Sequence, residues 1–180
     1  MDYYVPKNVI KDPTLEQWGT TGTSEFWKTE GGIRAGALSK DEKALSGSYS
    51  WEVDSNNGIG NGSFNFLYQE LDLKPFTSYN MSVNFFGMSN SSATDTNYSS
   101  DPYLQLQYFD GTTWQTCSPS IWGFNGVSED EWSLRSSTVR TDAATPGYDV
   151  VKARIRYVCG SSNRINKHCY VDDFTLIEKR

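Results

Sequence analysis

The feature that most constrains this chain is a period of two. No window of useful length places apolar residues at the i, i+3, i+4, i+7 spacing of an amphipathic helix, whereas apolar and polar residues alternate in run after run. Successive side chains of a strand point to opposite faces, so this alternation marks sheets with one buried face and one wet face. The clearest runs are Tyr49 to Asp54, Phe64 to Leu71, Ser78 to Phe86, Tyr103 to Phe109, Thr113 to Ser118, Glu131 to Val139, Asp149 to Val158 and His168 to Ile177. Short segments around Val9 and Leu15 add one or two more. The pattern predicts an all-β, two-sheet antiparallel sandwich of about eight to ten strands. With no internal repeat and no Pro-rich or Gly/Ser linker, residues 1–180 read as one domain.

Turn chemistry supports the strands. Asp110-Gly111 accepts the positive φ angles of a tight hairpin turn, so LQLQYF and TTWQTC are expected to pair antiparallel. The polar stretch Asn90 to Pro102 and the segment Ser120 to Asp130, which holds Trp122 and Phe124, read as candidate functional loops.

The alternation also assigns faces. In Ser78 to Phe86, Tyr79, Met81, Val83 and Phe85 oppose Asn80, Ser82 and Asn84. In Tyr103 to Phe109, Leu104, Leu106 and Tyr108 oppose Tyr103, Gln105 and Gln107. In Asp149 to Val158, Val151, Ala153, Ile155 and Tyr157 oppose Lys152, Arg154 and Arg156. If the three strands share a sheet, their polar faces merge into a surface of amides, hydroxyls and cations beside Tyr103. Such a surface suits a sugar, whose C–H patches pack on aromatic faces and whose hydroxyls need planar amide or guanidinium partners. The same pattern also fits the solvent face of any antiparallel sheet.

Charge and motifs exclude several classes. A formal net charge of -6 repels phosphate backbones and anionic lipid, so neither nucleic acid nor membrane is an expected partner. No apolar run is long enough to cross a bilayer, and MDYYVPKNVI lacks the pattern of a secretory signal. Cys117, Cys159 and Cys169 are too few for a disulfide framework; a bridge between the last two, across a hairpin, and free thiols are both open. The only histidine, His168, stands beside Cys169 with no nucleophile motif around it, and adjacent strand residues face opposite ways. The acids Glu129 to Glu131 read as a solvated loop, and no phosphate loop or zinc-ligand spacing is present. Catalysis is not expected.

Several segments, in order, carry a resemblance: NVIKDPTLEQW at the start, LSGSYSWEV at Leu45 to Val53, YQELDLKPFTSYNMSVNF at Tyr68 to Phe85, DGTTWQTC, and the closing HCYVDDFTLIEKR. Together they resemble the carbohydrate-binding modules of the galactose-binding-like jelly-roll superfamily, particularly families four and nine, with Phe76 standing where a Gly is usual. The resemblance implies a jelly roll that holds a structural calcium ion near its first and last strands, with Asp172 or Asp173 and Asp12 or Glu16 as the matching acids. It further implies a ligand site on one sheet face or the sandwich edge, matched here by Tyr103, Gln105, Gln107 and Arg154, with Trp122 and Phe124 on a loop. Trp51, Trp114 and Trp132 lie in strands and are expected to anchor the core.

Two functions follow. One is recognition of a glycan or polysaccharide by a non-catalytic module, which places the chain outside the cell. The other is a virion component, a capsid decoration or tail protein that binds coat or tail subunits, either as a symmetric homo-oligomer or docked on a repeating lattice, with adhesion to a host glycan compatible with the same role. It is motivated by a chain that opens on its own Met without an export signal.

Overall fold

The computed structural model describes residues 7–17, 24–31, 37–40, 44–54, 64–87, 102–123, 131–160 and 168–180. Ten strands occur among them: β1 (Lys28–Gly31), β2 (Ala37–Lys40), β3 (Tyr49–Asp54), β4 (Phe64–Leu73), β5 (Ser78–Gly87), β6 (Tyr103–Phe109), β7 (Trp114–Trp122), β8 (Trp132–Arg140), β9 (Val151–Gly160) and β10 (His168–Glu178). They form two five-stranded sheets, a front sheet in the order β1-β4-β9-β6-β7 and a back sheet in the order β2-β3-β10-β5-β8. Every strand pairing is antiparallel. The architecture is the expected β-sandwich jelly roll.

The core lies where the apolar parities of the two sheets meet. The front sheet contributes Leu67 and Leu73 from β4, Leu104 and Leu106 from β6, and Val151, Ala153, Ile155 and Tyr157 from β9. The back sheet answers with Trp51, Tyr79, Met81, Val83, Phe85, Val171, Phe174 and Leu176. All are buried, and each fully buried large side chain contributes about 1.5–3 kcal/mol relative to exposure. In β10 the apolar parity jumps from Val171 to Phe174 because the register against β5 shifts between Asp172 and Thr175, and Asp173 takes φ 53° there. One extra residue in a strand is a β-bulge, and it is why HCYVDDFTLIE does not alternate strictly.

The N-terminal segment clasps both sheets. Asn8 donates from Nδ2 to the Phe174 carbonyl at 2.9 Å and accepts the Leu176 N–H at 2.9 Å, while Val9 donates to the Leu176 carbonyl at 3.0 Å. Three residues on, the Lys11 N–H donates to Gln69 Oε1 at 2.7 Å and its carbonyl accepts from Gln69 Nε2 at 2.8 Å. Gln69 belongs to the front sheet, so its inward-facing amide is satisfied by this strap.

Three expectations are corrected. The strands β5, β6 and β9 do not share one sheet: β6 and β9 are neighbours in front, while β5 lies in back, where Asn80 and Ser82 bond across strands to Thr138 and Thr175. Around Val9 and Leu15 the described residues form a single bridge, Asn8 to Ile177, and no strand, while β1 and β2, which the alternation did not reveal, each form one edge of a sheet. Finally, β9 and β10 lie in opposite sheets and are not paired with each other; the side chains of Cys159 and Cys169 are outside the described residues. Cys117 is a buried free thiol whose pKa burial pushes up to about 11.

Candidate binding face

Register across the front sheet sets its outward side chains in rows, because residues directly opposite one another share a face. The first row runs Glu30, Phe66, Val158, Tyr103, Trp122; the second Lys28, Tyr68, Arg156, Gln105; the third Glu70, Arg154, Gln107, Thr116; the fourth Asp72, Lys152. Tyr103, Gln105, Gln107, Arg154 and Trp122 are thus brought onto one face. Phe124 lies outside the described residues.

Each end of this face carries an aromatic pair. At one, the Tyr103 and Trp122 rings stand 4.9 Å apart and Trp122 is 46% exposed. Trp122 was expected on a loop; it is the last residue of β7, which runs four residues beyond the expected end at Ser118. At the other, Phe109 and Trp114 stand 5.5 Å apart, and the Arg154 guanidinium lies 4.4 Å from the Trp114 ring centroid. Trp114 therefore does not anchor the core. It is half-buried on the outer face, directly across from Phe109, while Trp51 is buried as expected and Trp132 is half-buried against Phe86. Glu70, Asp72, Phe109, Trp114 and Lys152 line a cleft of about 510 Å³. Its lining combines two aromatic rings with two carboxylates and an ammonium, which suits a ring with apolar faces and polar edges.

The amides lie beneath this surface. Gln105 and Gln107 are each only 6% exposed. Gln107 Oε1 accepts from Arg154 Nε at 2.7 Å, and Gln105 Oε1 accepts from the Thr116 hydroxyl at 3.4 Å. Their role in this geometry is to orient the guanidinium and hydroxyl around them. Two lysines are ion-paired, Lys28 to Glu70 and Lys152 to Asp72, both at 2.8 Å. Among the described residues, Arg154 and Arg156 have no such pair. Arg156 lies with its guanidinium 3.5 Å from the Phe66 ring centroid, and its buried Nε has no hydrogen-bond partner. Burial, with the nearby Arg154, lowers the Arg156 pKa; burial also lowers that of Arg154, against the raising influence of Glu30, Tyr68 and Glu70.

The four acids matched to calcium, Asp12, Glu16, Asp172 and Asp173, each accept hydrogen bonds. Asp172 is fully buried; its Oδ2 accepts the N–H groups of Leu45 and Ser46 at 3.0 and 3.2 Å, and its Oδ1 accepts that of Asp173 at 2.7 Å. Asp173 Oδ1 takes the Ser46 hydroxyl at 2.6 Å, Glu16 Oε1 takes the N–H groups of Ser48 and Tyr49, and Asp12 Oδ1 takes that of Gln17. Hard cations need several oxygen lone pairs aimed at one point. Asp172, Asp173 and Glu16 receive donors from residues 45–49, which sets the three acids around one segment, and among the described residues no group of three or more His, Cys, Asp or Glu side chains is clustered as a metal site.

No family model matches the chain, and no curated protein matches it. Its fold is that of several solved structures. A family 16 carbohydrate-binding module aligns with a TM-score of 0.62 at 16% identity, over 95% of this chain and 100% of that one. A family 61 module in complex with β-1,4-galactotriose aligns at 0.57 and 18%, over 96% and 99%. The enzymatically active domain of a bacteriophage CBA120 tailspike aligns at 0.59 and 12%, covering 96% of this chain but 21% of its own length. A cyclase from Fischerella sp. is also similar, so the sandwich itself does not decide between binding and catalysis.

Proposed function

We propose that this chain is a non-catalytic glycan-binding domain whose outer front-sheet face receives a glycan or polysaccharide. Trp114, at one end of the face, is the main platform, and the Tyr103–Trp122 pair at the other end is a second contact. The observation that carries this reading is the cleft beside Trp114, where two aromatic rings meet Glu70, Asp72 and Lys152 on one rigid sheet. Stacking on an aromatic face and planar polar partners for hydroxyls are the two requirements of sugar recognition. The likeness in fold to a module crystallised with a galactotriose agrees with the reading.

The test is a glycan and polysaccharide array with and without calcium, followed by calorimetry on the best ligand with Trp114→Ala and Trp122→Ala. Saturable binding that weakens about tenfold or more in Trp114→Ala is expected, which corresponds to roughly 1.4 kcal/mol of stacking. A folded protein that binds no glycan would overturn the proposal and turn attention to assembly with coat or tail subunits. Full affinity in the Trp114→Ala variant would move the site elsewhere.

A further inference from the structure

The glycan reading leaves one feature of the face without a role. In a chain of net charge -6, β9 directs two guanidinium groups, Arg154 and Arg156, to the same side only two residues apart. Among the described residues neither has a carboxylate within ion-pair distance, whereas Lys28 and Lys152 on the same face take Glu70 and Asp72. Glu70 stands directly across from Arg154 yet pairs with Lys28, and the partners on β6 are the neutral amides Gln107 and Gln105. The arginines are half-buried and lie against the rings of Trp114 and Phe66, with Arg156 Nε left unbonded. Holding two partly desolvated cations side by side costs free energy unless an anion joins them.

We propose, resting on the glycan-binding reading above, that Arg154 and Arg156 form a fork for the carboxylate of an acidic sugar, so that the ligand is a uronate-containing polysaccharide. A guanidinium presents its N–H groups in a plane that matches both oxygens of a carboxylate, and a ring behind it fixes that plane. The aromatic pairs at the two ends of the face then take the flanking sugar rings, while the arginines between them read the charge. The paired Lys28 and Lys152 flank this fork at the face's edges and are already neutralised by the chain's own acids.

Affinity electrophoresis and calorimetry of the full chain would compare polygalacturonate, the same polymer after reduction of its carboxyl groups, a neutral β-1,4-galactan, a sulfated galactan and poly-glutamate. The expected result is binding to polygalacturonate that weakens at least tenfold on carboxyl reduction, in Arg156→Gln, and with rising salt. Arg156→Lys, which keeps the charge and loses the fork, should recover only part of the loss. Thermal melts of both variants establish that they fold. Equal binding to the carboxyl-reduced polymer, lost only in Trp114→Ala, overturns the uronate assignment and leaves glycan binding intact. Preference for the sulfated polymer assigns the fork to a sulfate ester and overturns it likewise. Equal binding to poly-glutamate reduces the arginines to an ion-exchange patch. Binding to none of the sugars overturns both readings at once.

Discussion

Single residues carry most of what is new. Trp114 was misplaced by the rule that a Trp within a strand buries its area, although strand parity held the answer. Tyr103, Gln105 and Gln107 put Phe109 on the polar side, and Phe109 pairs with Trp114 across the Asp110-Gly111 turn. Asp172 was legible as a special acid, but its surroundings were not, because the N–H groups it receives come from residues 45 and 46, far off in sequence. Burial lifts its pKa from 3.8 to about 6, against the pull of its N–H donors. Between those two values the folded protein holds a proton that the unfolded chain has released. Its contribution to stability is therefore present below about pH 4 and is lost as pH rises through about 6. Urea denaturation from pH 4 to 7 should show this decline in the wild type and a flatter profile in Asp172→Asn. At pH 4 that variant should be less stable than the wild type by about 1–3 kcal/mol, because its amide group meets N–H donors, and the gap should narrow as pH rises. Parallel profiles would remove Asp172 from the pH response.

At the scale of elements, the hairpin between β6 and β7 was the best determined from sequence, and it places Trp114. The strands pair as expected, with Phe109 opposite Trp114 and the loop spanning residues 110–113. Asp110 stabilises the turn by accepting the N–H groups of Thr112 and Thr113, both at 2.8 Å, and Gly111 adopts φ 100°. The nearest atoms to an added Cβ at Gly111 belong to Pro146 at 3.4 Å, ordinary contact, so Gly111→Ala should cost only the backbone strain, about 1–2 kcal/mol. A shift in the urea midpoint of that size checks it; no shift would mean that the loop relaxes. What was illegible has a common cause. The edge strands β1 and β2 are four residues each, too short for a period to register. The assignment of β5 to one sheet and of β6 and β9 to the other depends on long-range pairing that alternation alone does not encode.

Over the whole molecule, the two sheets meet through one continuous core and are tied at one edge by residues 8–11, whose bonds reach β10 in back and β4 in front. If residues 1–180 are one domain, neither sheet can unfold while leaving its partner's apolar face in water, and loss should be all-or-none. Tryptophan emission samples both sheets, through buried Trp51 behind and Trp114 and Trp122 in front, whereas far-ultraviolet dichroism samples the backbone. The two signals should give coincident urea midpoints. Asn8→Ala should move both together by about 1–3 kcal/mol, since it orphans a part-buried N–H and a carbonyl of β10. Separate midpoints would divide the sandwich into independent units, and an Asn8→Ala shift in one signal alone would make the strap a local clasp rather than part of the common core.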